Sequence, residues 1–212
     1  METKVEGNPW LEIWVRPKET IRKIITVDPK YKYWILCVLY GLPMGLNMAQ
    51  SSSLAAHVPM WAVVIGALIV SGLLGWIGIT VTTALLFWTG KWIGGTGRFD
   101  TVRTAVAWSN VPNIITTITW VALIAVFGTQ LFCKDFAETP FFGYEAGTVF
   151  LVFLLQSIAS IWGFIMLLNG LSEVQGFSLW RAVLNVIIPF LIVVAAIWLV
   201  GWVMWGTAHI AN

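Results

Sequence analysis

Four stretches of this chain contain no Asp, Glu, Lys or Arg: Tyr33 to Gly90, Thr104 to Cys133, Ala146 to Ser172 and Ala182 to Asn212. About 20 apolar residues in a helix suffice to cross the hydrocarbon layer of a bilayer, so each of the last three runs holds one span. The first run is long enough for two, and it breaks at Gln50 to Ser53, just before His57, Val58 and Pro59. This predicts helices over 33 to 51, 60 to 89, 111 to 132, 148 to 169 and 182 to 205. The second is longer than one crossing needs, which implies a tilt or an interfacial extension.

Composition agrees: 58% of residues are hydrophobic and 10% charged, against about 25% charged in a soluble domain. The predicted fold is all-α, a polytopic membrane helix bundle with five transmembrane helices plus short amphipathic cytoplasmic-face helices. Residues 1–32 form an interfacial segment and residues 33–212 the transmembrane domain.

The basic residues set an orientation. Lys4, Arg16, Lys18, Arg22, Lys23, Lys30, Lys32, Lys91, Arg98, Arg103 and Arg181 fall on one side of this topology, and Lys134 alone on the other. The positive-inside rule then puts the amino terminus in the cytoplasm and the carboxyl terminus outside. The basic face is expected to meet anionic membrane lipids. The charged, aromatic opening segment through Trp10 has no cleavable signal pattern, so the first span is expected to remain as an anchor.

Several functions find no support in the residues. Cys37 and Cys133 fall most of a bilayer apart, which excludes a disulfide between them. His57 and His209, both on the outer side, read as interfacial polar groups rather than a metal pair. There is no HExxH, no nucleophile beside a base and no cluster of acids, so no catalytic residue, metal or cofactor is expected and the chain reads as a non-enzyme. The glycines at 94, 95 and 97 lack the GxxxxGK[ST] pattern of a phosphate cradle, and no nucleic-acid partner is indicated.

No charge lies inside a predicted span, which argues against an ion-coupled pump. Gln156 and Ser160 share a face of the fourth helix, and Asn47, Thr80, Thr116 and Asn185 are scattered over the others. They read as interhelical hydrogen-bonding groups. The alternative is a small transporter, channel or lipid flippase using an interior lined by Gln156, Ser160, Thr80, Thr116 and Asn47. Gly41 with Gly45, and the ridge Ala67, Ser71 and Gly75, allow helix backbones to approach closely. Packing within the chain is the first reading of these, a homo-oligomer the second. Trp34, Trp88, Trp92 and Trp180 toward the inner boundary, and Trp61, Trp202 and Trp205 toward the outer, form interfacial belts.

The remaining polar motifs lie on the cytoplasmic side. Asn8 and Pro9 can start one short helix, and Pro17 a second with Ile21, Ile24 and Ile25 on its apolar face. Gly94 to Pro112 reads as a turn and an amphipathic helix, with Asp100 near its start and Arg103 on its polar face. GLSEVQGFSLWRA, Gly170 to Ala182, is a tight hairpin between the last two spans. A clasp between Glu173 and Arg98 or Arg103 is expected there, with Arg181 as a further partner for Glu173. The candidate interaction residues are Arg16, Arg98, Asp100, Arg103, Glu173 and Arg181.

Three motifs carry a resemblance: ArgProLysGluThrIleArg at 16 to 22, GlyThrGlyArgPhe at 95 to 99 with AlaTrpSerAsnValPro at 107 to 112, and GlyLeuSerGluValGlnGlyPheSer at 170 to 178. In that order they resemble the Yip1 domain family. The resemblance implies a five-span fold with a cytosolic amino terminus. Eukaryotic members are associated with Rab GTPases, vesicle budding and Golgi organisation. With only a short segment before its first span, this chain looks more like the bacterial branch, which implies the bacterial cytoplasmic membrane. The expected function is that of a non-enzymatic membrane adaptor or organiser that recruits a cytoplasmic protein partner or organises the membrane through its cytoplasmic face.

Overall fold

The computed structural model describes residues 7–54, 57–133, 136 and 140–210, with side chains up to residue 202. Lys4 and Lys134, and the side chains of Trp205 and His209, lie outside the described residues.

Helix α1, Pro9–Glu12, starts where the Asn8 side chain accepts the Trp10 N–H at 3.1 Å. Helix α2, Pro17–Val27, opens on a proline and ends at Asp28, whose extended backbone suits the Pro29 that follows. Two long helices form a hairpin next: α3, Tyr33–Ser51, and α4, Met60–Trp92. Helix α5, Phe99–Trp108, leads through a bend at Pro112 into α6, Asn113–Phe127, which tightens into a 3-10 turn over Gly128–Phe132. Helix α7, Gly143–Gln175, ends at Gly176, where φ of 70° favours glycine. Helix α8, Leu179–Ile210, is the last of the described elements.

Four segments are long and apolar enough to cross a membrane: Met60–Trp92, Asn113–Phe132, Gly143–Gln175 and Leu179–Trp202. Tyr33–Ser51 is not among them, because Pro43, Asn47 and Gln50 dilute its apolar character. The structure is thus an all-α membrane protein with four candidate spans.

Small residues seat α3 on α4. A side chain at Gly41 would run into the backbone of Ser71 and Gly75, and one at Gly75 would strike the Cys37 carbonyl. One turn further on, a Cβ at Gly45 would sit 3.4 Å from that of Ala67. The glycine pair and the small ridge face one another within one chain, as close backbone approach requires.

The charged end has an apolar core of its own. Ile13, Ile21 and Ile24 from the first two helices pack with Leu36, Val102, Trp108 and Leu171. A second cluster, built on Leu46, Val63, Trp120, Phe132 and Val152, lies toward the other end of the bundle. Among the described side chains, helix α8 joins the bundle through its first turns, where Ala182 and Asn185 are buried, and from Phe190 to Trp202 it is exposed on every side.

Candidate functional site

Every described Lys and Arg sits at the end of the bundle where α2, α5 and the α7–α8 hairpin meet. The organiser of that meeting is Gln175, an uncharged residue in the last turn of α7 and only 1% exposed. Its side-chain oxygen accepts the Gly97 N–H at 3.2 Å, and its amide nitrogen donates to the Leu86 carbonyl at 3.4 Å. Its backbone carbonyl accepts both the N–H and the hydroxyl of Thr96, at 3.1 and 3.2 Å. The glycines around it have a steric purpose: a side chain at Gly90, Gly95 or Gly97 would collide with the Gln175 amide. The glycine-rich loop is therefore a mould for one glutamine.

Beside it, Thr89 bonds to fully buried Asn185 and so fastens α4 to α8. The Thr89 hydroxyl has one proton and lies 2.8 Å from the Leu85 carbonyl and 2.7 Å from Asn185 Oδ1. Asn185 Nδ2 has no partner as placed. If Thr89 donates to Leu85, turning the Asn185 amide over lets Nδ2 donate to Thr89 and removes the orphan. Ser172 closes the hairpin by donating to the Phe177 carbonyl at 2.7 Å and accepting the Phe177 N–H on its own carbonyl at 3.0 Å.

Glu173 binds Arg22 of α2 in a two-pronged pair, Nε to Oε1 at 2.6 Å and Nη2 to Oε2 at 3.0 Å. This corrects the expected clasp: the partner is none of Arg98, Arg103 and Arg181. The carboxylate also raises the pKa of the Arg22 guanidinium above its already high ordinary value. Lys23, the next residue, reaches Glu12 at 2.8 Å and ties α1 to α2. Reversing one charge, Arg22→Glu or Glu173→Arg, is expected to loosen α2 and expose the Pro17–Val27 segment to protease, while the double reversal restores protection. Equal sensitivity in the single and double variants would dismiss the pair as a docking element.

Arg103 turns inward. It bonds to Asp100 at 2.7 Å and lies over the Tyr33 ring, 5.0 Å from its centroid. Its Nε is buried without a partner. Arg16 is exposed and pairs loosely with Glu19 at 3.7 Å, and Arg98 and Arg181 are exposed. The six residues thus divide: Arg103 and Glu173 reach across to other elements, Asp100 holds Arg103 within α5, and Arg16, Arg98 and Arg181 face outward.

Trp108, only 1% exposed, is the apolar counterpart of Gln175. It stacks on Tyr31 at 6.2 Å and 3° and meets Trp10 at 5.1 Å. Thr104 donates to the Pro29 carbonyl at 2.7 Å, so α5 also holds the link between α2 and α3. The tryptophan in the Ala107 to Pro112 motif was the available sequence signal for this role.

The interior polar residues do not form one lining. Gln156 donates to Thr119 at 2.9 Å, joining α7 to α6, and Thr119 donates in turn to the Thr116 carbonyl at 2.8 Å. Thr80 is half-buried on α4. Asn47 is exposed and bonds back to the Pro43 carbonyl at 2.8 Å, so it does not face an interior. Ser160 borders a cavity between α4, α6 and α7. Among the described residues no three His, Cys, Asp or Glu side chains gather as a metal group, and Cys37 and Cys133 are free.

The segment from Leu11 to Gly201 contains all of these contacts except that of Trp10 with Trp108, and it is the segment that matches the family model of the Yip1 domain, residues 11–201. No curated protein and no solved structure gives a match. The match spans most of the chain and includes the three motifs that Arg22, Gln175 and Trp108 bring together: the chain belongs to the Yip1 domain family, generally non-enzymatic membrane proteins.

Proposed function

We propose that this protein is a non-enzymatic membrane adaptor that recruits a protein partner to its cytoplasmic face. The observation that carries this reading is the way the charged end is built. Buried contacts through Gln175 and Trp108, with the solvent-facing Arg22–Glu173 pair beside them, fix α1, α2, α5 and the hairpin as one rigid platform, and Arg16, Arg98 and Arg181 point away from it. Rigid presentation of outward cations favours a partner with an acidic surface, because electrostatic complementarity sets encounter rate and register.

In this reading α3 is a fifth span. Its 19 residues cover about 28 Å, and the close approaches at Gly41, Gly45 and Gly75 run it antiparallel along α4. With α3 crossing, all described cations fall on one side, which the positive-inside rule makes the cytoplasm of a bacterial cell.

Photo-crosslinking probes at the exposed positions Leu11 and Trp180, with an outer control at Val58, test the adaptor reading in native membranes. The expected product is one discrete protein, captured from both inner sites, absent from the control and lost in the Arg98→Glu, Arg181→Glu double variant. Capture of lipid alone, or of a second copy of this chain, would sink the proposal.

A further inference from the structure

A cavity of about 300 Å³ lies between α4, the α5–α6 bend and α7. Its polar wall is formed by Tyr40, Thr82, Ser109, Asn110, Asn113 and Ser160, and no charged side chain lines it. On α7 the lining residues Ser160, Gly163, Phe164 and Leu167 recur at helical spacing and so form one face. Ser160 and Phe164 are exposed, which opens the cavity sideways, toward lipid rather than along the bundle axis.

Depth is set by the length of α7. About 20 helical residues cross the hydrocarbon layer, so a crossing that begins after Glu145 in the first turn of α7 reaches its far edge near Met166. The cavity therefore sits where acyl chains give way to ester groups in the leaflet nearer the charged end. A second marker agrees, because Asn110 and Asn113 sit at the bend where α5 leaves the charged end and α6 enters the apolar run.

The wall selects by exclusion. A phosphate here would lose water without gaining a counter-charge. Ser109 and Asn110 already donate to the Val106 carbonyl and Asn113 to Asn110, but a bare acyl chain would leave the Tyr40, Thr82 and Ser160 hydroxyls facing hydrocarbon. A neutral group bearing ester or hydroxyl oxygens, attached to apolar chains, meets both demands. At about 30 Å³ of liquid volume per water the cavity holds about ten waters, comparable to the about ten non-hydrogen atoms of a glycerol with two ester groups.

We infer that this cavity is a lateral binding site for the glycerol–ester region of an uncharged glycerolipid, with its chains leaving past Phe164 and Leu167. The inference does not rest on the adaptor reading, and its test reads lipid rather than protein capture.

The full chain is placed in nanodiscs containing a trace of diacylglycerol that carries a diazirine on the first carbons of one chain. Labelled residues are mapped by mass spectrometry after illumination. Labelling is expected to concentrate on Tyr40, Asn113 and Phe164, and to fall at least fivefold in Ser160→Phe and in Asn113→Leu. Labelling of the outer half of α8, from Phe190 onward, is expected to stay unchanged. Ser160 is exposed, so the phenylalanine has lipid on its open side and the fold is retained. Equal labelling in wild type and both variants would overturn the site, as would a pattern matching a diazirine hydrocarbon without the glycerol. Competition by water-soluble glycerol diacetate, but not by unlabelled diacylglycerol, would make the ligand a free solute and overturn the lipid assignment.

Discussion

Gly75→Val is expected to destabilise the protein by at least about 3 kcal/mol, at the upper end of what overpacking costs. The added Cβ would strike the Cys37 carbonyl and lie 2.9 Å from the Cys37 Cα, so the obstacle is backbone and no side-chain rotation relieves it. Helices α3 and α4 would have to part along the seam of Gly41, Ser71 and Ala67. Gly66→Val on the same helix is the matched control: nothing lies within 4 Å of its Cβ, and valine is slightly better than glycine in a helix, so a change within about 0.5 kcal/mol is expected. Equilibrium unfolding in mixed detergent micelles gives both numbers. If Gly75→Val instead leaves monomer stability intact and dissociates an oligomer, the seam belongs to a second copy and the hairpin assignment fails.

Gln175→Ala should cost about 2 to 4 kcal/mol, through two effects. The buried Gly97 N–H loses its acceptor, worth about 1 to 3 kcal/mol, and a void opens that Gly90, Gly95 and Gly97 have no side chains to fill. The local signature is protease cleavage in the Gly94 to Gly97 loop at denaturant concentrations where wild type resists. Ser178→Ala, three residues on, removes only a 3.5 Å contact to the Arg181 N–H and is expected to cost less than about 1 kcal/mol. Equal effects of the two substitutions would mean that Gln175 is not the organiser of this end.

The helices were legible in the sequence because charge and apolar length report on solvent, and solvent decides where a helix can sit in a bilayer. The ends were less so. Helix α7 was expected to stop near residue 169 and runs to Gln175, because Glu173 meets Arg22 and the chain turns only where Gly176 permits it. A charge marks where hydrocarbon ends, not where a helix ends. The first helix shows the converse: α3 has the predicted limits, yet by composition it is not among the four candidate spans.

The candidate site was legible as a region but not as a set of contacts. Asp100, Arg103 and Glu173 drew attention because they are charged, yet pairing depends on which amphipathic helix docks on α7, and periodicity on α2 says nothing about its neighbour. Gln175 and Thr89 went unnoticed because uncharged polar residues next to charges look incidental. The three clustered glycines were the clue, since glycine is needed where another group approaches the backbone. That group proved to be the chain's own glutamine.

Helices α4 and α7 each have 33 residues, about 50 Å of helix against about 30 Å of hydrocarbon. The surplus at the charged end is sheathed by α1, α2 and α5 around Ile13, Ile24 and Trp108. One continuous pair of helices is thus stabilised by two different kinds of thermodynamics. The sheathed part is held by water's exclusion from apolar surface, with the heat capacity that accompanies it, and so weakens on cooling. The part in lipid lacks that driving force and depends on close packing. Cold therefore acts on the sheath first, freeing α1 and α2 while the crossings stay assembled, and the heat capacity of unfolding measures the sheath alone.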